Sequence, residues 1–329
     1  MPILKIKKLD FKNKLLKLKI KQFLKTFDLK YNQVEHTFYV LDSDNQIIAS
    51  CSSYLNLIKC IAIKKEYQNH RLSIKLINHT IKFLSSLYKE CFVITKKENL
   101  FFWQDLNFEI IFTNNEIAFL TSNKKKFNDH IQELKNCSLK DKSNFILINA
   151  NPCTKGHLYL LKKASANKHC FVMVLREDAS EFSFTTRYQL VKKATKHLKN
   201  ITVLKGSPYL LSKSVFPDYF LKTKQNTSKQ WAIVDAFIFT NLIAPNLNVD
   251  HRYFGSEPYS KITDLYNQIN KEILEKNNIK VTIIERKKSE NKYISASLVR
   301  LLWKENQLEQ IKKIVPKATF YFLKANQKK

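Results

Sequence analysis

Only three glycines occur in these 329 residues, and all lie in the second half, at Gly156, Gly206 and Gly255. Between Ile3 and Asn151 there is neither a glycine nor a proline, whereas six of the seven prolines come later. Glycine averages about 7% of residues. It is the residue that takes a left-handed backbone or lets a ligand approach the chain closely. Its scarcity divides the chain into a first half that must turn on other side chains and a second half with three positions that need glycine. A length of 329 residues also exceeds what one hydrophobic core usually serves. Thr121–Asn144 is polar and reads as one short helix with flexible flanks. The expected division is therefore residues 1–125, a connecting segment 126–144, and residues 145–329.

In the first half, Glu35–Leu41 and Gln46–Cys51 flank Asp42-Ser43-Asp44-Asn45, the pattern of a hairpin. A strand at Leu57–Ile63 follows, then a helix carrying Leu72, Leu76, Ile77, Ile81, Leu84 and Leu87 on one stripe. After the strand CFVIT, the run FFWQDLNFEIIF reads as a short helix, a turn and a strand, with Asn107 suited to a left-handed turn. This order resembles the acetyltransferase fold of the GNAT superfamily, and Ile58–Phe108 carries the likeness. The resemblance implies a glycine-bearing Q/RxxGxG/A loop that holds the CoA pyrophosphate. Here Gln68-Asn69-His70-Arg71-Leu72-Ser73 puts Arg71 and Ser73 in the glycine positions. The expectation is a smaller α+β domain with a structural or partner-docking role and no ordinary acetyl-CoA site.

Composition excludes several classes. No stretch approaches the ~18–20 apolar residues of a membrane helix. The lysine-studded N-terminus lacks the small-residue cleavage site of a secretory signal. Cysteines 51, 60, 91, 137, 153 and 170 form no CxxC pair and no close Cys/His set, so no metal site is assigned. A reducing, cytoplasmic setting fits that usage. Cys153 reads as a small apolar filler. A net charge of +29 could serve nucleic acid or an acidic partner. Lysine is spread evenly and arginine is rare, so compositional drift is the expected source and nucleic-acid binding is not expected. His79, His169, Trp103 and Trp231 read as structural.

The second half alternates strand and helix from FILINA through VTIIE to a closing helix at ASLVRLLWKEN. Such alternation predicts a parallel sheet with right-handed crossovers and a ligand site beyond the strands' carboxyl ends. Asn149-Ala150-Asn151-Pro152-Cys153-Thr154-Lys155-Gly156-His157 runs from a strand end into a helix start near Gly156–His157. Helix-start amides and dipole favour an anion there, and Thr154 and His157 can reach the same phosphate. Near the C-terminus, Ile294-Ser295-Ala296-Ser297-Leu298-Val299-Arg300 again joins a strand to a helix, with Ser297 as the expected N-cap. Arg300, one turn in, can bond a phosphate bidentately. These segments match the (H/T)xGH and ISxSxxR signatures, and they resemble the nucleotidyltransferase superfamily. The fold class expected is α/β, with a Rossmann-like parallel-sheet nucleotidyltransferase domain following the GNAT-like one.

The longer runs NPCTKGHLYLLKKA, REDASEFSFTTRYQLVKKAT, VFPDYFLK, DAFIFTNLIAPNLNVDHRYFGSEPYSKITDLYNQ and ISASLVRLL resemble citrate lyase ligase, densely from Phe145 to Leu323. That resemblance implies activation of acetate by ATP as acetyl-AMP, with release of pyrophosphate. Acetyl transfer to the prosthetic-group thiol of citrate lyase's acyl carrier subunit follows, with release of AMP. It implies Thr154 and His157 at the α-phosphate and Arg300 on the leaving group. Ser295 and Ser297 would hold outer phosphates, Asn149, Asn151 and Gly156 would shape the loop, and Gly255-Ser256-Glu257 would lie near ribose or purine. Mg²⁺ is expected through ATP phosphates, and Arg187, Lys222 and Arg252 are secondary candidates. Two other readings stay open at this point. One is a pantetheine-phosphate or mononucleotide adenylyltransferase. The other is a basic protein binding RNA or an acidic partner, with a vestigial nucleotide site.

Overall fold

The computed structural model describes residues 4–176, 180–210, 216, 224–256, 261–289 and 292–327. The chain forms two units, Met1–Asp129 with Val215–Thr227, and His130–Ser214 with Ser228–Lys329. Among the described residues no helix is long and apolar enough to cross a membrane.

The first unit contains β1 (Ile6–Lys8), α1 (Lys14–Lys25), β2 (His36–Leu41), β3 (Ile47–Tyr54), β4 (Leu57–Ile63), α2 (Leu72–Tyr88), β5 (Phe92–Lys96), α3 (Leu100–Asp105), β6 (Glu109–Thr113) and β7 (Ile117–Thr121). They form one sheet in the order β1-β2-β3-β4-β5-β7-β6. Its pairs are antiparallel except β4 with β5, whose parallel register is confined to Leu57↔Phe92 and Ile58↔Val93. β3 is buried along its whole length. One apolar cluster includes Ile20 and Leu24 of α1, and another includes Leu72, Leu76, Ile77 and Leu84 of α2. The stripe expected on α2 stops at Leu84: Leu87, in the last turn, is 53% exposed. Lacking glycine, this unit turns on other residues, among them Asn45, Arg71, Lys89 and Asn107, all at positive φ. Asn107 takes the left-handed position read from the sequence. Arg71 takes one as well, between a tight turn at Lys65–His70 and the start of α2.

After α4 (Lys124–Cys137), the second unit runs through β8 (Ser143–Ile148), α5 (Lys155–Ala164), β9 (Cys170–Val174), α6 (Phe184–Thr195) and β10 (Ile201–Lys205). α7 (Lys224–Ile238), a π turn at Phe239–Ile243 and α8 (Ala244–Leu247) lead to β11 (Val249–Gly255), α9 (Lys261–Lys276) and β12 (Lys280–Ile284). A small hairpin, β13 (Lys288–Ser289) and β14 (Lys292–Tyr293), precedes α10 (Ala296–Lys304), α11 (Leu308–Ile314) and α12 (Lys317–Ala325). The five strands lie in the order β10-β9-β8-β11-β12, every pair parallel. The strand order reverses between β8 and β11, which opens a crevice at their carboxyl ends. β9 is buried at every position, the setting in which a parallel strand reads as an unbroken apolar run. α5 and α6 bring Leu161, Ala164, Leu190 and Val191 onto β8 and β9. The last three helices close around Val299, Leu302, Ile311 and Leu323.

None of the three glycines has a positive φ. At Gly206, and less tightly at Gly156, the requirement is one of space, whereas a Cβ on Gly255 would meet only Leu160 at 3.5 Å, an ordinary contact. A Cβ on Gly206, just past β10, would meet Val174 O at 2.4 Å and Arg176 N at 2.6 Å, both backbone atoms that cannot step aside. On the opposite flank of the sheet, Arg252 is fully buried, with Nη2 2.8 Å from Asp235 Oδ2. It also donates to Asn270 Oδ1 and Tyr266 Oη, and its guanidinium lies over the rings of Phe239 and Phe254 at 4.4 and 4.7 Å. Breaking such a pair from one side leaves an uncompensated buried charge. Asp235→Ala is expected to destabilise the second unit by roughly 3–5 kcal/mol in urea unfolding. Arg252→Met added to it should recover much of that loss. Gly206→Ala should cost at least about 1–3 kcal/mol by overpacking.

Candidate active site

The crevice is a cleft of about 590 Å³. Its walls come from the segment after β8, the first turns of α5 and α10, the end of β11 and the segment after β12.

The first wall is built by a helix cap. Thr154 is the N-cap of α5, and its Oγ1 accepts from His157 N at 3.3 Å. His157 Nδ1 accepts in return from Thr154 N at 3.1 Å. This reciprocal box satisfies two first-turn donors and leaves the helix start to face the cleft. A nitrogen that accepts a backbone N–H carries no proton of its own, so the neutral imidazole keeps its proton on Nε2. Although part of the ring remains open to the cleft, its enclosure and the cation of Arg286 push the His157 pKa down to about 4. The ring is therefore a neutral hydrogen-bond donor at physiological pH.

The second wall is the start of α10. Its N-cap is Ser295, whose Oγ accepts from Leu298 N at 3.1 Å. The expectation of Ser297 as the cap is corrected: Ser297 is the second residue inside the helix, and its Oγ accepts from Arg300 Nη2 at 3.1 Å. Ser295 precedes the helical residues and has the extended backbone that a cap requires. Arg300 Nη1 reaches back to the carbonyl of Asn151. Gly156 seals the same junction, because a Cβ there would lie 3.3 Å from Ile294 O. Lys155 donates to Lys313 O at 2.7 Å, tying the start of α5 to the end of α11. The two helix starts thus converge on one space.

The segment between β8 and α5 is held from below. Ala150 has φ 49°, and the Asn151–Pro152 peptide is cis. Arg187, fully buried, donates to Asn149 O, Asn149 Oδ1, Leu175 O and Phe182 O. Asn151 Oδ1 accepts from Phe182 N at 3.2 Å. Arg187 is outside the cleft's lining and shapes the segment that lines it. Cys153 is a buried filler, its thiol pushed up to about 12 by burial.

Asn149, Asn151, Thr154, Gly156, His157, Gly255, Ser295, Ser297 and Arg300 all line the cleft, and Arg252 lies at its floor. Ser256 stands behind the lining, holding Arg286: its Oγ accepts from Arg286 N at 3.1 Å and its O from Arg286 Nε at 3.0 Å. Glu257 and Lys222 lie outside the described residues. The sequence reading missed Arg286 and Lys287, which line the cleft just beyond β12, and Tyr159, one turn into α5. Their only signal was a basic run, Arg286-Lys287-Lys288, between a strand and the second motif. Of the other residues read as structural, Trp103 is buried and Trp231 stacks on Tyr266 at 4.1 Å.

The family model described as "Citrate lyase ligase C-terminal domain" matches residues 143–323, more than half of the chain. The chain belongs to the citrate lyase ligase family. The citrate (pro-3S)-lyase ligase of Haemophilus influenzae (strain ATCC 51907 / DSM 11121 / KW20 / Rd) is 33% identical to it over 319 residues, covering 92% of this chain and 94% of that one. The ligase of the same name from Escherichia coli (strain K12) is 31% identical over 317 residues, 92% and 89% of the two chains. A solved GNAT-family acetyltransferase from Staphylococcus aureus Mu50 covers 37% of this chain at 13% identity and a TM-score of 0.31, too slight a likeness to argue from. The two motifs that face each other across the cleft therefore belong to a ligase-family domain.

The imidazole state gives a test. A pKa lowered on folding means that the unfolded chain takes up the proton first, so this contribution to stability is present above pH 6.5 and fades as pH falls towards 4. NMR titration should find His157 neutral at pH 6 with a midpoint near 4. A midpoint at the ordinary value would remove the enclosed, Arg286-facing ring described above.

Proposed function

We propose that the chain is an ATP-dependent ligase that activates acetate as acetyl-AMP and acetylates the thiol of the prosthetic group on the citrate lyase acyl carrier subunit. The observation that carries this reading is the convergence of two capped helix starts, at Thr154 and Ser295, on one cleft at the β8–β11 crevice. A triphosphate is the ligand such paired anion sites suit. The family relationship supplies the carboxylate and the carrier. Residues 1–125 are proposed as the GNAT-like structural or partner-docking domain, 126–144 as the connection and 145–329 as the catalytic domain. The reaction is assigned to the cytoplasm.

In this reading the α-phosphate lies against the start of α5. His157 Nε2–H donates to one of its oxygens, and Thr154 keeps the ring in that tautomer. The outer phosphates lie against α10, where Arg300 and the amides of Ala296 and Ser297 face them. The purine and ribose extend towards Gly255. An acetate oxygen attacks the α-phosphorus, and the bond to the bridging β-oxygen breaks. Pyrophosphate departs with the electron pair and acetyl-AMP remains. The carrier's thiolate then attacks the acetyl carbonyl, forming a thioester and expelling AMP. No covalent enzyme intermediate is required, so catalysis comes from alignment and from fixed donors aimed at developing charge.

Mg²⁺ would be held by phosphate oxygens and water. Among the described residues the cleft offers one carboxylate, Glu285, and no group of three metal-binding side chains occurs anywhere. Bound there, it would neutralise phosphate charge. Arg187, Arg252 and Ser256 act through other residues, whereas Lys222 and Glu257 are proposed as contacts to substrate or nucleotide.

ATP–pyrophosphate exchange with a panel of small carboxylates is the test. Exchange should depend on acetate, and His157→Ala should lower it by a factor of roughly 10²–10³ while the fold persists. Exchange driven by phosphopantetheine or a mononucleotide, and not by acetate, would replace this reading with another adenylyltransferase.

A further inference from the structure

We infer that Arg286 is a catalytic residue of this ligase, gripping the reacting α-phosphate opposite His157, and that Ser256 is its positioning residue. The inference rests on the acetate-activating reading and deepens it.

Arg286 lies two residues beyond the end of β12, and Ser256 one residue beyond the end of β11. The strands pair in parallel up to Gly255↔Ile284, and Ser256 N continues the ladder onto Ile284 O at 2.8 Å. Ser256 then holds the arginine twice, through Oγ to its backbone N and through O to Nε. Two contacts from one rigid strand end fix both the backbone and the plane of the guanidinium. A donor with no role beyond solvation does not need such fixing. Arg286 lines the cleft and is half-buried, close enough to the imidazole of His157 for its charge to favour the neutral ring.

The cleft's other arginines are placed differently. Arg252 is paired with Asp235 beneath the floor, and Arg300 is tied to Asn151 and Ser297 at the start of α10. Arg286 is thus the lining arginine whose charge acts on the His157 ring, where the phosphoryl group changes partners. As the acetate oxygen bonds to phosphorus and pyrophosphate leaves, negative charge builds on the non-bridging oxygens between Nε2–H of His157 and the guanidinium. In the second half-reaction the same grip stabilises AMP as the thiolate displaces it, so both half-reactions should depend on Arg286.

The test compares Arg286→Gln, Arg286→Lys and Ser256→Ala with the wild-type chain. Arg286→Gln should lower acetate-dependent ATP–pyrophosphate exchange by roughly 100-fold or more, weaken ATP binding, and raise the His157 midpoint in NMR titration. Arg286→Lys keeps the charge but loses the contact to Ser256 O, and it should recover about a tenth of wild-type exchange at most. Ser256→Ala should lower kcat by about 5–10-fold, and in the double variant with Arg286→Gln it should add nothing further. Wild-type exchange in Arg286→Gln, or full rescue by lysine, would overturn the proposal. An additive Ser256→Ala effect would overturn the positioning role. A wild-type chain that binds ATP but exchanges with no carboxylate would refute the acetate-activating reading. Arg286 would then be judged by ATP affinity alone, and equal affinity in Arg286→Gln would refute its role too.

Discussion

The second unit is organised around a junction of two helix beginnings. The first turn of α5 lies against Ile294, just before the cap of α10, so closely that a Cβ at position 156 would sit 3.3 Å from its carbonyl oxygen. Arg300 crosses from α10 to the carbonyl of Asn151. Each helix start is capped by a hydroxyl that satisfies one amide and leaves others to face the same space. Dipoles and amides pointing at one volume make it attractive to a polyanion. The buried Arg187 supports the intervening segment from behind by holding Asn149 and Phe182. Without that underpinning the amides would have no fixed target.

The electrostatics follow from this geometry. A histidine enclosed beside a cation stays neutral, and a neutral ring can donate to a phosphate across the physiological range. Cationic work falls instead to arginines, which keep their charge. Arg300 is fastened by a backbone carbonyl and a hydroxyl, which orient its guanidinium, whereas Arg252, paired to a carboxylate, is used to hold a helix against the sheet.

Glycine scarcity is met in two ways. Asn45, Asn107, Asn248, Asn278 and Asn306 take left-handed turns, since asparagine tolerates that conformation best among residues with a Cβ. Glycine itself is kept where two pieces of backbone must touch, as at Gly206 against Val174 and Arg176. The sequence suggested a left-handed backbone or a close ligand approach at the glycines; none has a positive φ, and Gly206 is required instead by backbone packing, because contact between strand ends is not written in local pattern.

Local pattern determined the elements. Unbroken apolar runs became β8 and β9, alternating helices became the crossovers, and two short motifs marked both helix starts. Asn107 was legible as a left-handed residue because its requirement is local. Tertiary structure alone decided which serine caps α10, that Leu87 lies beyond the packed stripe, and that Arg187 belongs to the support and not to the cleft. It also set Arg286 and His157 in one cleft, where the cation's charge acts on the ring, although they are far apart in the chain and neither residue's neighbours hint at the other. A cap or a turn depends on dihedrals a few residues apart, which sequence spacing encodes. A charge placed beside a ring depends on strand order, which emerges only when the sheet is assembled.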